Sequence, residues 1–249
     1  MTNTVLYDTI GERYRDSKRL PFSQHVERYT LVELLGDLRG QTVLDLACGD
    51  GGYARECKRS GAASVTGVDI SKEMIAMAEA EERKDPLGCR YVCEDAATFT
   101  LPTQVDIVVA VYLLNYARTR TELDRFFRSS YRALRPGGRL VGFNNNMRRP
   151  PRAGVSMVKY GFERTCPDPP REGDIIRMRM TNPDGRSFEF ANYYLRPGTY
   201  VASAREAGFD DFRWVDALLD PAEQGNPYWD DFLADAPVTA FTASRQPRT

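Results

Sequence analysis

Three groups of residues in this chain have the types and spacing to do chemistry. The first is Val43-Leu-Asp-Leu-Ala-Cys-Gly-Asp-Gly-Gly52, a β-prone run that ends in Gly49-Asp50-Gly51-Gly52 and leads into a helical pattern. A turn without Cβ atoms lets the backbone approach a ligand and deliver it to the free N–H groups of the helix start. The second is Asp69, which closes another β-prone run 18 residues after Gly51. A carboxylate at that place can accept both hydroxyls of a ribose. It can also complement a helix dipole, although Ser71 already supplies a cap. The third is Glu94-Asp95-Ala96, where an acid could read the amino edge of an adenine or simply sit solvated in a loop. A Gly-rich strand–turn–helix is common to proteins that bind NAD, FAD and S-adenosylmethionine. The residues alone therefore leave the nucleotide open.

The elements that must position these groups can be read from hydrophobic period. Phe22, Val26, Tyr29, Leu31, Val32 and Leu35 recur at roughly helical spacing before Gly36 and Gly40. From residue 41 the pattern alternates. Strands are expected at 42–47, 64–70, 91–93, 105–113 and 139–143, with helices at 53–59, 71–82 and around 123–134. Gly61 closes the first helix, and Arg135-Pro136-Gly137-Gly138 stops the last. Five such alternations predict a parallel, doubly wound sheet with helices on both faces. Residues 146–170 read as irregular. Asp174–Thr181 and Arg186–Leu195 alternate in polarity around Asn182-Pro-Asp-Gly185, which predicts a hairpin. A helix at 200–207 and strands near 212–218 and 238–244 follow. One domain over 1–249 is expected: a helical lid (1–40), a nucleotide-binding core (41–145), a cap insertion on the sheet edge (146–196) and a C-terminal helix with two strands (197–249).

Composition narrows the class. The chain has 249 residues, 34 Lys+Arg and 35 Asp+Glu, a net charge of −1. That balance lacks the basic footprint of a general nucleic-acid binder. The longest uncharged apolar run is the eight residues Ile107–Leu114, against the roughly 20 that a spanning helix needs. No basic, apolar leader is visible at the start. Five cysteines without C-x-x-C spacing and a single histidine, His25, argue against a disulfide scaffold and a metal site. A cytoplasmic monomer or homodimer with no nucleic-acid or membrane partner is expected. The expected cap is basic, ten Lys/Arg against six Asp/Glu over 146–196. Residues 210–235 are acidic, eight acids against one arginine. Solvated faces of opposite sign that pair with each other, or with a second subunit, account for this.

Five segments taken together resemble the class I S-adenosylmethionine-dependent methyltransferases. They are Val43-Leu-Asp-Leu-Ala-Cys-Gly-Asp-Gly, Gly67-Val-Asp-Ile-Ser-Lys-Glu-Met74, Glu94-Asp-Ala96, Val111-Tyr-Leu-Leu-Asn-Tyr116 and Leu134-Arg-Pro-Gly-Gly-Arg139. The resemblance covers roughly residues 35–145, in order and spacing. It implies an α/β, Rossmann-like, seven-stranded and mostly parallel sheet whose last strand inserts antiparallel. It implies S-adenosylmethionine as cofactor. Gly49 and Gly51 would hold the methionine part, with the Cys48 backbone nearby. Asp69 would take the ribose, Ile70 and Met74 would flank the adenine, and Asp95 with Ala96 would meet its amino edge. Val111 and Tyr112 would face the sulfonium. The opening Tyr7-Asp-Thr-Ile-Gly-Glu-Arg-Tyr14 is similar to the lid of small-molecule methyltransferases, whose first tyrosine closes over the cofactor and whose second reaches the methionyl end. Lid and core together look most like the N-methyltransferases of azapteridine (toxoflavin) biosynthesis.

The chain departs from other branches. It has no Asn/Asp-Pro-Pro-Tyr after the fourth strand, where Leu113-Leu-Asn-Tyr116 stands, and no aminopropyltransferase acid there. The expected activity is methyl transfer to a small planar aromatic or heteroaromatic metabolite. A ring nitrogen is favoured over oxygen, because a phenol would want a near-neutral base and histidine is scarce. The acceptor pocket is expected between Tyr7 and Tyr14, Asn115 and Tyr116, and Tyr193 and Tyr194. Tyr14, Tyr116 and Tyr194 are candidate catalytic residues. His25 is a candidate base or a packing residue. The competing classes are a small-molecule O-methyltransferase, an NAD(P)-dependent oxidoreductase and a non-catalytic S-adenosylmethionine-binding protein.

Overall fold

The computed structural model describes residues 3–152 and 154–247, with side chains from Tyr7 onward. The outermost residues of the expected lid and C-terminal segment, Met1, Thr2, Arg248 and Thr249, lie outside it, as does Ala153. The strands are β1 (Thr42–Leu46), β2 (Ser64–Asp69), β3 (Cys89–Cys93), β4 (Val105–Val111), β5 (Leu134–Asn145), β6 (Phe162–Thr165), β7 (Ile175–Thr181), β8 (Ser187–Tyr193), β9 (Arg213–Asp216) and β10 (Val238–Ser244). The helices are α1 (Asn3–Ser17), α2 (Tyr29–Leu35), α3 (Gly52–Arg59), α4 (Lys72–Lys84), α5 (Arg120–Ala133), α6 (Pro197–Ala207) and α7 (Asp230–Ala234).

Seven strands form one sheet in the order β3-β2-β1-β4-β5-β10-β9. Strands β1 to β5 pair in parallel, and β10 runs antiparallel to both neighbours. The central strands are apolar on both faces because helices cover both: Val43, Leu44 and Leu46 of β1 and Ile107 to Ala110 of β4 are fully buried. The chain leaves β1 toward β2 on one side while β4 lies on the other. This switch point opens a crevice beyond the carboxyl ends, where such sheets bind ligands.

Local signals set the helix boundaries. Ser71 caps α4, its Oγ accepting from the Met74 N–H at 3.2 Å, and Thr119 caps α5 through the Glu122 N–H at 3.3 Å. Pro197 opens α6, and Gly208 (φ 109°) ends it in the left-handed region. Between α1 and α2, Ser23–Arg28 is π-helical. A looser turn of this kind often marks a functional site.

Strands β6, β7 and β8 form a separate antiparallel sheet. The expected hairpin is present, its turn closed by the Gly185 N–H to Asn182 at 2.9 Å. β6 lies inside the stretch expected to be irregular. Its four residues are too few to show an alternation among the surrounding arginines and prolines. The small sheet stands over the ends of β4 and β5 rather than along an outer strand. Asn192 accepts from Asn145 Nδ2 at 3.0 Å, and the rings of Phe188 and Phe190 meet Tyr14 of α1. Opposite charges of the cap and the acidic segment do pair: Arg148 with Asp216 (2.6 Å), Arg152 with Asp235 (2.7 Å) and Lys159 with Asp231 (2.6 Å). No described helix is long and apolar enough to cross a membrane.

Gly142 sits where β5 is squeezed between β4 and β10. A Cβ there would strike the Phe241 ring and the Ala110 carbonyl oxygen. Gly142→Ala is expected to destabilise the protein by about 1–3 kcal/mol, as overpacking does. A urea melt with an unchanged midpoint would contradict this packing.

Candidate active site

The site is built at the ends of β1, β2 and β4. β1 runs into a turn in which Ala47 (φ 61°) and Gly49 (φ 55°) are both left-handed. A Cβ on Gly49 would meet nothing within 4 Å, so this bare backbone faces open space. Gly51 (φ 81°) precedes α3, and a Cβ there would enter the Tyr91 ring. Its glycine serves internal packing. Asp69 ends β2 and accepts two backbone hydrogen bonds: Gly49 N–H to Oδ2 and Ser71 N–H to Oδ1, each 2.9 Å. The carboxylate thus joins the two loops that frame the crevice. Tyr112 directly follows β4 with φ 60°. Its N–H donates to Phe143 at 2.7 Å and its hydroxyl to Glu27 Oε2 at 2.7 Å.

A cavity of about 400 Å³ fills the crevice. Its walls include Gly49, Asp69, Ile70, Met74, Asp95 and Ala96, and at the other end Val111, Tyr112, Tyr7 and Tyr14. Ten of the residues expected at a nucleotide therefore share one cavity. Cys48 and Gly51 do not line it. The Cys48 side chain is buried and faces Gly67 and an adjoining cavity of about 210 Å³. That second space meets the first at Tyr14, Ala47, Gly49 and Val111.

A third, inner chamber of about 30 Å³ lies beneath Tyr14, Tyr112 and Tyr116. Met178, Met180, Phe162 and Phe190 form its apolar wall. Asn145 and Asn192 form a polar edge, and Lys18 and Glu27 another. Tyr7 and Tyr116 join hydroxyl to hydroxyl above it. Tyr14 meets Tyr7 edge-on with ring centroids 5.2 Å apart.

Glu27 comes from the π-helical turn and is fully buried. It accepts from Lys18 Nζ (2.7 Å), from the Tyr112 hydroxyl and from the Tyr53 hydroxyl. Burial opposes the charge on Lys18, but the facing Glu27 more than offsets this and holds the ammonium above the ordinary lysine range. Burial pushes the phenols of Tyr7, Tyr14, Tyr112 and Tyr116 up, so all four stay protonated near neutrality. Three carboxyls crowd the turn. Burial, then the charge of Asp69, pushes Asp45 up to about 8, and burial also raises Asp50 and Asp69. Asp45 Oδ2 is buried without a partner. Such a cluster suits a ligand that brings positive charge.

Four of the residues expected at the acceptor fall elsewhere. Tyr194 lies just past the end of β8, its backbone paired with Asp174 and Gly173, and its side chain packs outside all three cavities. The preceding same-face residues Phe190 and Asn192 reach the chamber instead. Tyr193 also lies outside, under the Arg118 guanidinium at 5.4 Å. His25 faces the surface, 3.4 Å from Asp220, because the π-helical turn puts Glu27 inward and His25 outward. Asn115 is buried and accepts from the Asn145 N–H at 3.1 Å. It supports the chamber without lining it. Lys18, Glu27, Asn145 and Asn192 were not expected from the sequence. Only Met178 and Met180, alternating on β7, left a readable trace there.

Residues 43–138 match the methyltransferase-domain family. The fold is that of the class I S-adenosylmethionine-dependent methyltransferases. The ubiquinone biosynthesis O-methyltransferase of Coxiella burnetii (strain Dugway 5J108-111) is 32% identical over 114 residues, 45% of this chain and 47% of that protein. The chain thus spans about half the length of the curated relatives it matches first. Among solved structures, the CcbJ methyltransferase of Streptomyces caelestis aligns with a TM-score of 0.67 at 17% identity, covering 99% of this chain and 100% of that one. The DhpI–SAH complex aligns with a TM-score of 0.61 at 21% identity, covering 98% and 96%.

The raised Asp45 carboxyl has a consequence for stability. Between its ordinary value of 3.8 and about 8 the native state keeps a proton that the unfolded chain has lost. Stability should therefore fall as pH rises through that window. Asp45→Asn should flatten the fall, read as urea midpoints at about pH 5 and about pH 8. An equal pH slope in both proteins would show that Asp45 ionises freely.

Proposed function

We propose that this protein transfers a methyl group from S-adenosylmethionine to a small planar acceptor, by preference at a ring nitrogen of a heteroaromatic such as an azapteridine. The carrying observation is the single cavity that joins Gly49, Asp69, Ile70, Met74, Asp95 and Ala96 to Val111 and Tyr112. The residues fit the donor. Asp69 offers carboxylate oxygens to a ribose, Ile70 and Met74 a slot for a flat base, and Asp95 with Ala96 its amino edge. Gly49 leaves room for the methionyl chain. The crowded acids suit a cationic ligand. The DhpI–SAH complex shares the fold, which supports the same cofactor here.

When bound, the sulfonium supplies an already activated methyl group. The protein's work is then alignment and the exclusion of water, and positioning can contribute about 7–11 kcal/mol in favourable cases. Tyr7 and Tyr116 close the lid side, and Tyr14 separates the donor cavity from the chamber. The Met178 and Met180 thioethers can repack around an entering ring, and Phe190 gives it a face. A ring needs more than the roughly 30 Å³ of the closed chamber, so its entry spreads these side chains. The Asn145 and Asn192 amides give the acceptor a polar edge to orient on.

The preference for nitrogen rests on the proton inventory. Glu27 is the only carboxylate among the described residues lining the chamber, and three donors occupy it. The tyrosines are held protonated and His25 is remote. A ring nitrogen can attack through its lone pair without a base. An O-methyltransferase is the second reading, because curated relatives such as the Coxiella burnetii protein methylate oxygen in ubiquinone biosynthesis. The free cysteines suit a reducing cytoplasm.

Isothermal titration tests the donor. S-adenosylhomocysteine should bind in the micromolar range, NAD and NADP should not, and Asp69→Ala should lose affinity by about tenfold or more. Nicotinamide binding without S-adenosylhomocysteine binding would favour an oxidoreductase. For the acceptor, Tyr116→Phe should slow methyl transfer to azapteridine or phenol probes while leaving S-adenosylhomocysteine affinity intact. Unchanged turnover would remove Tyr116 from the site.

A further inference from the structure

We propose that the inner chamber reads a lactam edge: Asn145 accepts a hydrogen bond from a ring N–H and donates one to the neighbouring ring carbonyl, while Asn192 holds the Asn145 amide in that orientation. The inference rests on the methyl-transfer reading and deepens it, by naming the edge that the acceptor must carry. Asn145 is the last residue of β5. It is buried, with 2% of its surface exposed, and it lines the chamber. Its backbone is held on both sides. The N–H donates to Asn115 Oδ1 at 3.1 Å, and the carbonyl accepts from Asn144 Nδ2 at 3.3 Å.

The side-chain amide is only half used. Asn145 Nδ2 donates to Asn192 Oδ1 at 3.0 Å. Asn192 is itself oriented, because its Nδ2 donates to the Ala191 carbonyl at 3.3 Å. That order turns Asn145 Nδ2 toward Asn192 and leaves Asn145 Oδ1 with no donor among the described residues. One Nδ2 hydrogen is also left over. Behind it, Asn115 Nδ2 is buried without a partner. Buried polar groups left unpaired are costly, and a ligand that supplies the missing partners recovers that cost. An asparagine amide sets an acceptor and a donor side by side in one plane. Its complement is a donor and an acceptor on adjacent atoms, as when Asn meets the edge of an adenine. The adjacent N–H and C=O of a lactam provide that pair. A phenol puts both functions on one oxygen and matches it less well. The facing wall of Met178, Met180 and Phe190 is apolar, so a flat ring with one polar edge has a single orientation that satisfies both sides. The lactam nitrogen has its lone pair conjugated into the ring, so the methyl group falls on another ring atom.

The test uses two bicyclic probes that differ in one atom: 2-quinolone, a lactam, and coumarin, in which oxygen replaces the N–H. Each is titrated calorimetrically into protein saturated with S-adenosylhomocysteine. Wild type should bind 2-quinolone about tenfold tighter than coumarin or more, because a site built to hydrogen-bond an N–H rejects an analogue that lacks it. Asn145→Leu should bind the two probes about equally and keep its affinity for S-adenosylhomocysteine. Asn145→Ala is measured beside it, in case the larger side chain does not fit. Retained S-adenosylhomocysteine binding certifies each fold, and whichever variant retains it decides. If neither does, the wild-type preference decides. Equal affinity of wild type for both probes, or a preference that survives loss of the amide, overturns the lactam edge and leaves the methyl-transfer reading standing. Failure of wild type to bind either probe overturns the chamber as an acceptor site and the lactam edge with it. Failure to bind S-adenosylhomocysteine overturns the donor reading and everything that rests on it.

Discussion

The site depends on one carboxylate. Asp69 accepts from Gly49 on one loop and from Ser71 on the next, each at 2.9 Å. Charge-assisted bonds of this kind are stronger than neutral ones. They fix the spacing of the two loops just beyond the backbone bond from the Cys48 N–H to the Val68 carbonyl at 3.0 Å. Burial raises the cost of its charge, and the backbone N–H groups oppose that cost. The parts of the crevice nearest this tie are the bare Gly49 backbone, the Ser71 cap of α4 and the cavity wall at Ile70 and Met74. The lid uses the same corner. Asp8 of α1 accepts from Ser71 Oγ at 2.6 Å and from the Glu73 N–H at 3.3 Å, which seats α1 over the cavity.

The lid's second anchor is ionic and aromatic. Glu27 is buried with Lys18, Tyr53 and Tyr112, and it holds the hydroxyl of a residue whose backbone is left-handed. Such a conformation costs of order 1–3 kcal/mol and persists only when its surroundings enforce it. A buried ion pair contributes little net stability but is costly to break from one side. The network is best understood as fixing geometry. It joins the lid segment, α3 and the end of β4 at the boundary between the donor cavity and the inner chamber.

How much of this was legible follows from the kind of signal each part leaves. The parallel core could be read because strands buried on both faces are near-continuous apolar runs and because Ser71, Gly61 and Gly208 punctuate the helices. Asp69 and Asp95 could be read from their places at or just past strand ends, whereas Ile70, Met74 and Ala96 followed from the family resemblance; all five line one cavity. Gly51 was placed correctly in the turn, but its glycine answers to Tyr91 across the turn, a contact no local pattern records. The chamber was less legible. Lys18 and Glu27 are nine positions apart, half a turn out of phase on a 3.6-residue period, and the turn at residues 18–20 that brings them together leaves no periodic signal. The π-helical turn sends His25 outward. Tyr194 has the parity of Phe190 and Asn192 but lies beyond the end of β8, a boundary that alternation alone does not mark.

The most direct measurement is a crystal structure of the protein with S-adenosylhomocysteine. The account predicts the ribose hydroxyls on the Asp69 carboxylate, the adenine between Ile70 and Met74 with its amino edge at Asp95 and Ala96, and the sulfur facing Val111 and Tyr112. A ligand bound elsewhere, or an adenine ring outside the Ile70–Met74 slot, would contradict it.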